Sequence, residues 1–365
     1  MSHPDPLAYD APLPAYEARA QSLFAALIAA DQDAAWMFKW EHPRYRGKQV
    51  TDVNPSEMTL HDAQLVVAHR YAFDSWKDLV AYTEDVQRSG PVARFEQAVE
   101  SVVNGNANAL SEALQKDPSL VRARSTRRHH ATLLHYVAAN GVEGARQKTP
   151  ANAVEIAKLL LDAGAEADAL ADMYGGKCAT MAMLVSSAHP AQANLQVPLA
   201  ELLLDHGADP EGTGSQKQSP LLIALAFGYS DTAQALARRA SPKEELEVMA
   251  GLGRTDVVSR LLPKAEAPAK QKALALAAQH GHTGVVQVLL DAGVDPNRYN
   301  PNGFHAHSTP LHQAVWSNHE SVVRLLVERG ARLDMRDTVY DGTPLDWAIY
   351  GKHEALADYL RRTPA

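Results

Sequence analysis

One short string recurs along this chain and constrains its fold more than any other feature. It reads TLLHYVAANG from Thr132, STPLHQAVWSNH from Ser308 and GTPLDWAIYGKH from Gly342. Weaker copies are QSPLLIALAFGYS from Gln218 and KALALAAQHGH from Lys272. A second block follows in each case, as in VEIAKLLLDAGAEAD, PLAELLLDHGADPEG, TAQALARRA, VVSRLLPKA, VVQVLLDAGVDPN and VVRLLVERGARLD. Apolar residues within each block fall at helical spacing. The glycines of DAG, DHG and ERG sit where a helix end calls for positive φ. A pair of such helices cannot bury its apolar face alone, so the copies must stack on one another.

The full Thr-Pro-Leu-His string at Thr309, Pro310, Leu311 and His312, followed by Gln313 and Ala314, resembles the ankyrin repeat. So does a period near the ~33 residues of that family. The resemblance implies an all-α ankyrin-repeat solenoid, built of helix pairs with short β-hairpin fingers, over residues 91–365. About eight repeats are expected, the first degenerate at residues 95–124. Those near 219–271 are short and lack the finger, which leaves two finger zones, around residues 125–180 and 300–345. Extra residues at 142–152 and 187–197 read as insertions between the helices of neighbouring repeats, and stacking should place these loops side by side.

Composition separates the start of the chain from the rest. Ala supplies 62 of 365 residues and aromatics only 6%, which suits close-packed helices. Yet 11 of the 23 aromatic residues precede residue 90, which marks residues 1–90 as a separate helical capping module. Residues 14–40 read as one helix. Thr59 with Asp62 reads as a capped helix start, and two short helices bent at residues 73–75 follow. The strings Asp62-Ala63-Gln64 and Phe73-Asp74-Ser75-Trp76 resemble an N-terminal element of a subset of bacterial ankyrin proteins. That resemblance implies no activity; the module's expected job is to cover the first face of the stack.

Charge and cysteine content narrow the classes further. Thirty-five basic against 43 acidic residues give −8, so no nucleic-acid partner is expected. A single cysteine, Cys178, excludes an intramolecular disulfide and fits a reducing compartment. The longest apolar run near the N-terminus, residues 23–30, is too short to span a bilayer and lacks a basic flank. A cytoplasmic protein with no membrane partner is the expectation.

Sixteen histidines invite a metal or acid–base reading, and most of them belong to the repeat. His135 and His312 hold the fourth position of the recurring motif, where the resemblance implies a structural hydrogen bond. His282, His319 and His353 sit in inter-helix turns, and His206 is at a repeat site. His129, His130, His305 and His307 immediately precede the motif and so belong to fingers, while His189 lies in an insertion. The two finger pairs are five repeats apart, about 40–50 Å at packed-helix spacing, too far to share one metal. No metal and no cofactor are expected.

Two functional readings stay open. The first is a recognition scaffold that binds a protein or peptide partner through the concave face. Its candidate contacts are Arg127, Arg128, His129, His130, Tyr174, His305, His307 and Tyr340. The run from residue 122 to 130 carries Arg122, Arg124, Arg127 and Arg128, which suits an acidic partner loop. The second is an enzyme or a binder of a small anionic ligand around residues 125–180, with His129, His130, Asp172, Tyr174 and Lys177 as acid–base candidates. No P-loop, GxSxG, HExxH or CxxC pattern occurs, so the sequence leans away from catalysis. Cys178 reads as a small buried hydrophobe and Trp347 as core.

Overall fold

Three helix starts in the repeats of this protein are set by a threonine that bonds back into its own first turn. In the computed structural model, which describes residues 6–214, 219–240 and 243–363, the threonine hydroxyls of the recurring motif do this work. Thr132, Thr309 and Thr343 each open a helix through a reciprocal bond with the residue three further on: His135, His312 and Asp346. The start of the copy at Gln218 lies outside the described residues.

The chain forms two compact units, Met1–Lys217 and Gln218–Ala365. The first begins with four helices: α1 (Leu13–Ile28), α2 (Gln32–Glu41), α3 (Leu60–Arg70) and α4 (Trp76–Gln87). They enclose a core of Tyr16, Leu27, Phe38, Val66, Phe73 and Leu79. Residues 14–40 are thus two helices, not one. Ala30 adopts φ +59° and Asp31 caps α2 by accepting the Ala34 N–H at 2.8 Å. Thr59 and Asp62 do form the expected cap of α3, and Ser75 caps α4.

Three helix pairs follow in this unit: α5 (Pro91–Val103) with α6 (Ala107–Lys116), α7 (Leu133–Val137) with α8 (Ala153–Asp162), and α9 (Thr180–Leu184) with α11 (Gln196–Asp205). A five-residue helix, α10 (Ala188–Gln192), fills the second insertion. Inner helices α5, α7 and α9 stack in order, as do outer helices α6, α8 and α11. Strands β1 (Leu170–Met173) and β2 (Gly176–Ala179) make one antiparallel finger, the only sheet among the described residues. Tyr174 (φ +52°) and Gly175 (φ +77°) form its two-residue turn.

The second unit holds five pairs: α12 (Pro220–Ala226) with α13 (Ser230–Ala240), α14 (Leu246–Gly251) with α15 (Thr255–Leu261), α16 (Ala267–Gln279) with α17 (Thr283–Asp291), α18 (Pro310–Trp316) with α19 (Glu320–Glu328), and α20 (Pro344–Tyr350) with α21 (Glu354–Arg362). The inner helices α12, α14, α16, α18 and α20 again stack in sequence. Before α14 the link is only residues 241–245, of which 241 and 242 lie outside the described residues. Before α16, Ala265 and Glu266 alone follow a short 3-10 turn, too few for a finger. The fold class is therefore all-α helix pairs with short fingers, and no described helix is long and apolar enough to cross a membrane.

Histidine rings stitch neighbouring pairs together. Nε2 of His282, His319 and His353 donates to the carbonyl of Gly251, Gln279 and Trp316, at 2.9, 3.0 and 3.1 Å. Gly281 (φ +75°) shows why a glycine precedes such a turn: a Cβ there would stand 2.6 Å from the His319 ring. His135 and His312 donate likewise to Cys178 and Gly342 while Nδ1 faces the cap threonine, so both rings are structural.

Candidate functional site

The run at residues 122–130 splits into side chains that turn inward and side chains that stay at the surface. Ser125 accepts the Arg127 N–H, and Arg127 then points into the protein at 2% exposure. Its guanidinium donates to Tyr71 O at 2.7 Å and Tyr82 Oη at 2.9 Å and lies over the Phe73 and Tyr82 rings. It pairs through Nε with the Glu143 carboxylate, and Glu96 stands 3.7 Å away. Arg146 completes the cluster, reaching Glu96, Glu100 and Glu143. Burial works to raise the Glu143 carboxyl, but Arg127, His129 and Arg146 outweigh it and hold the group well below the usual carboxylate range.

His129 belongs to the same interior, 2% exposed. Its Nδ1 accepts the Ala131 N–H at 3.1 Å, and Nε2 faces Glu143 at 3.4 Å. Only Nδ1 is engaged in a hydrogen bond; Nε2 is held beside the Glu143 carboxylate, and burial keeps nearly all of the ring from a partner at the surface. Arg122 pairs with Glu166, and Arg124 ties the carbonyls of His130 and Leu170. Of the four arginines in this run, only Arg128 keeps its guanidinium without a partner among the described residues. The cationic run of the sequence is mostly an internal brace.

His130, Asp172, Tyr174 and Lys177 do come together at the finger. Asp172 accepts from Lys177 Nζ at 2.5 Å and faces His130 Nδ1 at 3.0 Å, and these two partners lower its carboxyl. Tyr174, 70% exposed, donates its hydroxyl to Asn140 at 2.5 Å. A backbone bond from Asp172 N to His129 O at 2.7 Å joins this finger to the preceding loop. That loop is joined in turn to the helical module by Arg128 N donating to Ala72 O at 2.8 Å. Between module and finger lies a cleft of about 920 Å³, lined by Arg46, Arg70 and Asp74 on one side and by Arg128, Asp172 and Lys177 on the other.

Cys178 is buried, its thiol donates to Met173 O at 3.5 Å, and burial pushes its pKa up, so it is no activated nucleophile. Among the described residues no cluster of three or more His, Cys, Asp or Glu side chains could hold a metal ion.

The second unit carries a groove of about 580 Å³ lined by His305, His307, Trp316, Tyr340, Trp347 and Tyr350. Asp337 builds it. Its carboxylate accepts N–H groups of Val339, Tyr340 and Gly342 at 2.9, 2.6 and 2.9 Å, which curls the finger. Trp347 is half-buried and packs edge-on against His312 and Trp316, while Trp316 stacks on Tyr350 at 6.2 Å. Trp316, Tyr340 and Tyr350 are 50%, 77% and 80% exposed. His305 commits its Nε2–H to Ala226 O at 2.9 Å while its ring still lines the groove. His307 O accepts the Thr338 N–H at 2.8 Å, the same inter-finger bond that His129 makes with Asp172.

Sequence reasoning missed Glu96 and Glu143, and it places Arg146 in the insertion loop at residues 142–152 without its inward pairing. Glu96 sits in the apolar stripe of α5 with Val99 and Val103, a position that announces a buried carboxylate needing a cation. Trp316 and Tyr350 fall on exposed positions of inner helices and were legible as rings but not as neighbours.

The family model for ankyrin repeats (three copies) matches residues 246–337 and 300–363. The chain is 31% identical over 122 residues to cyclin-dependent kinase inhibitor 2A of Monodelphis domestica, covering 32% of this chain and 69% of that protein. It is 44% identical over 71 residues to an ankyrin repeat-containing protein of Schizosaccharomyces pombe, covering 19% of this chain and 31% of that protein. Ankyrin repeat and SOCS box protein 6 of Mus musculus is 37% identical over 97 residues, 25% of this chain and 22% of that protein. The chain thus spans less than a third of the yeast and mouse proteins. It belongs to the ankyrin-repeat family. These named relatives are eukaryotic.

Proposed function

We propose that this chain is a recognition scaffold that binds a protein or peptide partner on the concave face formed by its fingers and inner helices, at the ring-lined groove of the last two repeats. The observation that carries this reading is the exposure of Trp316, Tyr340 and Tyr350 around one groove. Neighbouring exposed rings are unfavourable in water and unneeded for packing, whereas Trp and Tyr dominate the energetics of interface centres. The Monodelphis relative is by name an inhibitor of a kinase, a protein target, which accords with protein recognition on this fold.

A peptide library displayed against the intact chain tests the reading. Selected peptides are expected to bind the Trp316→Ala, Tyr350→Ala double variant at least tenfold more weakly, with an unchanged Tm. Peptides that bind that variant as tightly as the parent, or a library that yields no binder, would overturn it.

A further inference from the structure

Most arginines in this chain are engaged. Of its 22 arginines, only six make no side-chain hydrogen bond, ion pair or ring contact among the described residues. Arg238, Arg254 and Arg362 are scattered on exposed helix surface. The other three, Arg46, Arg70 and Arg128, all line the cleft of the first unit. They come from three separate segments: the turn after α2, the last residue of α3, and the loop before the first motif. Backbone geometry brings two of them together, since Ala72, two residues beyond Arg70, accepts the Arg128 N–H at 2.8 Å. Arg70 and Arg128 are half-buried there.

Three guanidinium groups in one cleft repel one another, and the half-buried Arg70 and Arg128 give up part of their hydration without an ion-paired carboxylate to compensate. Glu41 and Asp74 also line the space, yet neither forms an ion pair with them. The fold holds these cations apart from its own acids. Guanidinium is the side-chain group whose fork fits the oxygens of phosphate or carboxylate. A space of about 920 Å³ is of the size that takes a whole small molecule.

We propose that this cleft is a binding site for a small polyvalent oxyanion, held by Arg46, Arg70 and Arg128, with Glu41 and Asp74 accepting from hydroxyl or ammonium groups of the same ligand. Asp172 and Lys177 neutralise each other at the rim, and the brace of Arg127, Glu143 and Arg146 behind the cleft keeps its wall in place. The site is independent of the ring-lined groove and stands or falls separately.

Calorimetric titration of the intact chain with inorganic pyrophosphate, and separately with citrate, tests the proposal at matched ionic strength. At least one probe is expected to bind saturably; pyrophosphate marks a phosphate site and citrate a carboxylate site. The Arg70→Gln, Arg128→Gln double variant is expected to weaken that binding at least tenfold. The Arg238→Gln, Arg254→Gln variant, which removes unpaired arginines elsewhere, is expected to leave it unchanged. Should the cleft variant fold poorly, Arg46→Gln on the exposed wall serves instead, with a loss of at least threefold. Absence of saturable binding by both probes, equal weakening by the control pair, or undiminished binding in the cleft variants would each overturn the proposal.

Discussion

The indole N–H of Trp347 donates to the carboxylate of Asp337 at 2.9 Å, so one buried acid anchors both the last finger and the innermost tryptophan of the groove. Asp337 already accepts three backbone N–H groups, and an amide in its place could not accept all four. Asp337→Asn is expected to destabilise the chain by about 2–3 kcal/mol in urea denaturation, the scale of lost bonds to a buried charge. Trp347→Phe removes one donor only and should lower stability less. An Asp337→Asn variant as stable as the parent would show that the finger holds without its acid.

Breaking the interior brace should be more damaging. Glu143 faces Arg127, Arg146 and His129, all buried. In Glu143→Gln, Arg127 keeps only Glu96 as a nearby carboxylate, while Arg146 keeps Glu96 and Glu100. Loss of one partner from a buried ion pair typically costs about 3–5 kcal/mol. Thermal denaturation should show a large fall in Tm for Glu143→Gln and almost none for Arg128→Gln, although Arg128 adjoins in sequence the Arg127 that Glu143 holds.

Acid should weaken the chain before its carboxylates titrate. Burial draws the His135 and His280 imidazoles down from 6.5 to about 4, in spite of their bonds to backbone carbonyls. Below pH 6.5 the unfolded chain therefore binds protons that the folded chain refuses. Their contribution to stability is whole above pH 6.5 and declines as pH falls toward 4. Between pH 6.5 and 5 each accounts for about 2 kcal/mol, at 1.36 kcal/mol per pH unit. Urea midpoints measured at pH 7 and pH 5 should differ accordingly, and a His280→Gln variant should show a shallower dependence.

What could be read from the sequence was what short-range chemistry decides. The reciprocal caps at Thr132 with His135 and Thr309 with His312 span three residues, so the motif announces them. The break between α1 and α2 did not announce itself, because Ala29 and Ala30 favour helix and only the Asp31 cap overrides them. Longer pairings were invisible. Arg127 reads as a surface cation beside Arg128, and nothing local tells which one meets Glu143 or Glu96. Arg146 looked like part of an outward loop, yet it returns 50 residues along the chain to Glu96. The wall of the cleft that faces residues 125–180 went unread for the same reason: Arg46 and Arg70 precede Arg128 by 82 and 58 residues and form no pattern with it.

The turn of the first finger offers a test of strain against use. Tyr174 holds φ +52°, a conformation that Asn or Gly adopts more readily, in a two-residue turn for which Asn-Gly is the favoured pair. Tyr174→Asn should therefore leave stability unchanged or raise it by about 0.5–1 kcal/mol, despite losing the bond to Asn140. Gly175→Val, with φ +77° at that position, should lower it by more than 1 kcal/mol. If Tyr174→Asn proves clearly destabilising, the ring braces the finger. If it is neutral, the ring is not there for stability, and an exposed tyrosine at the rim of an arginine-lined cleft is placed for what enters it.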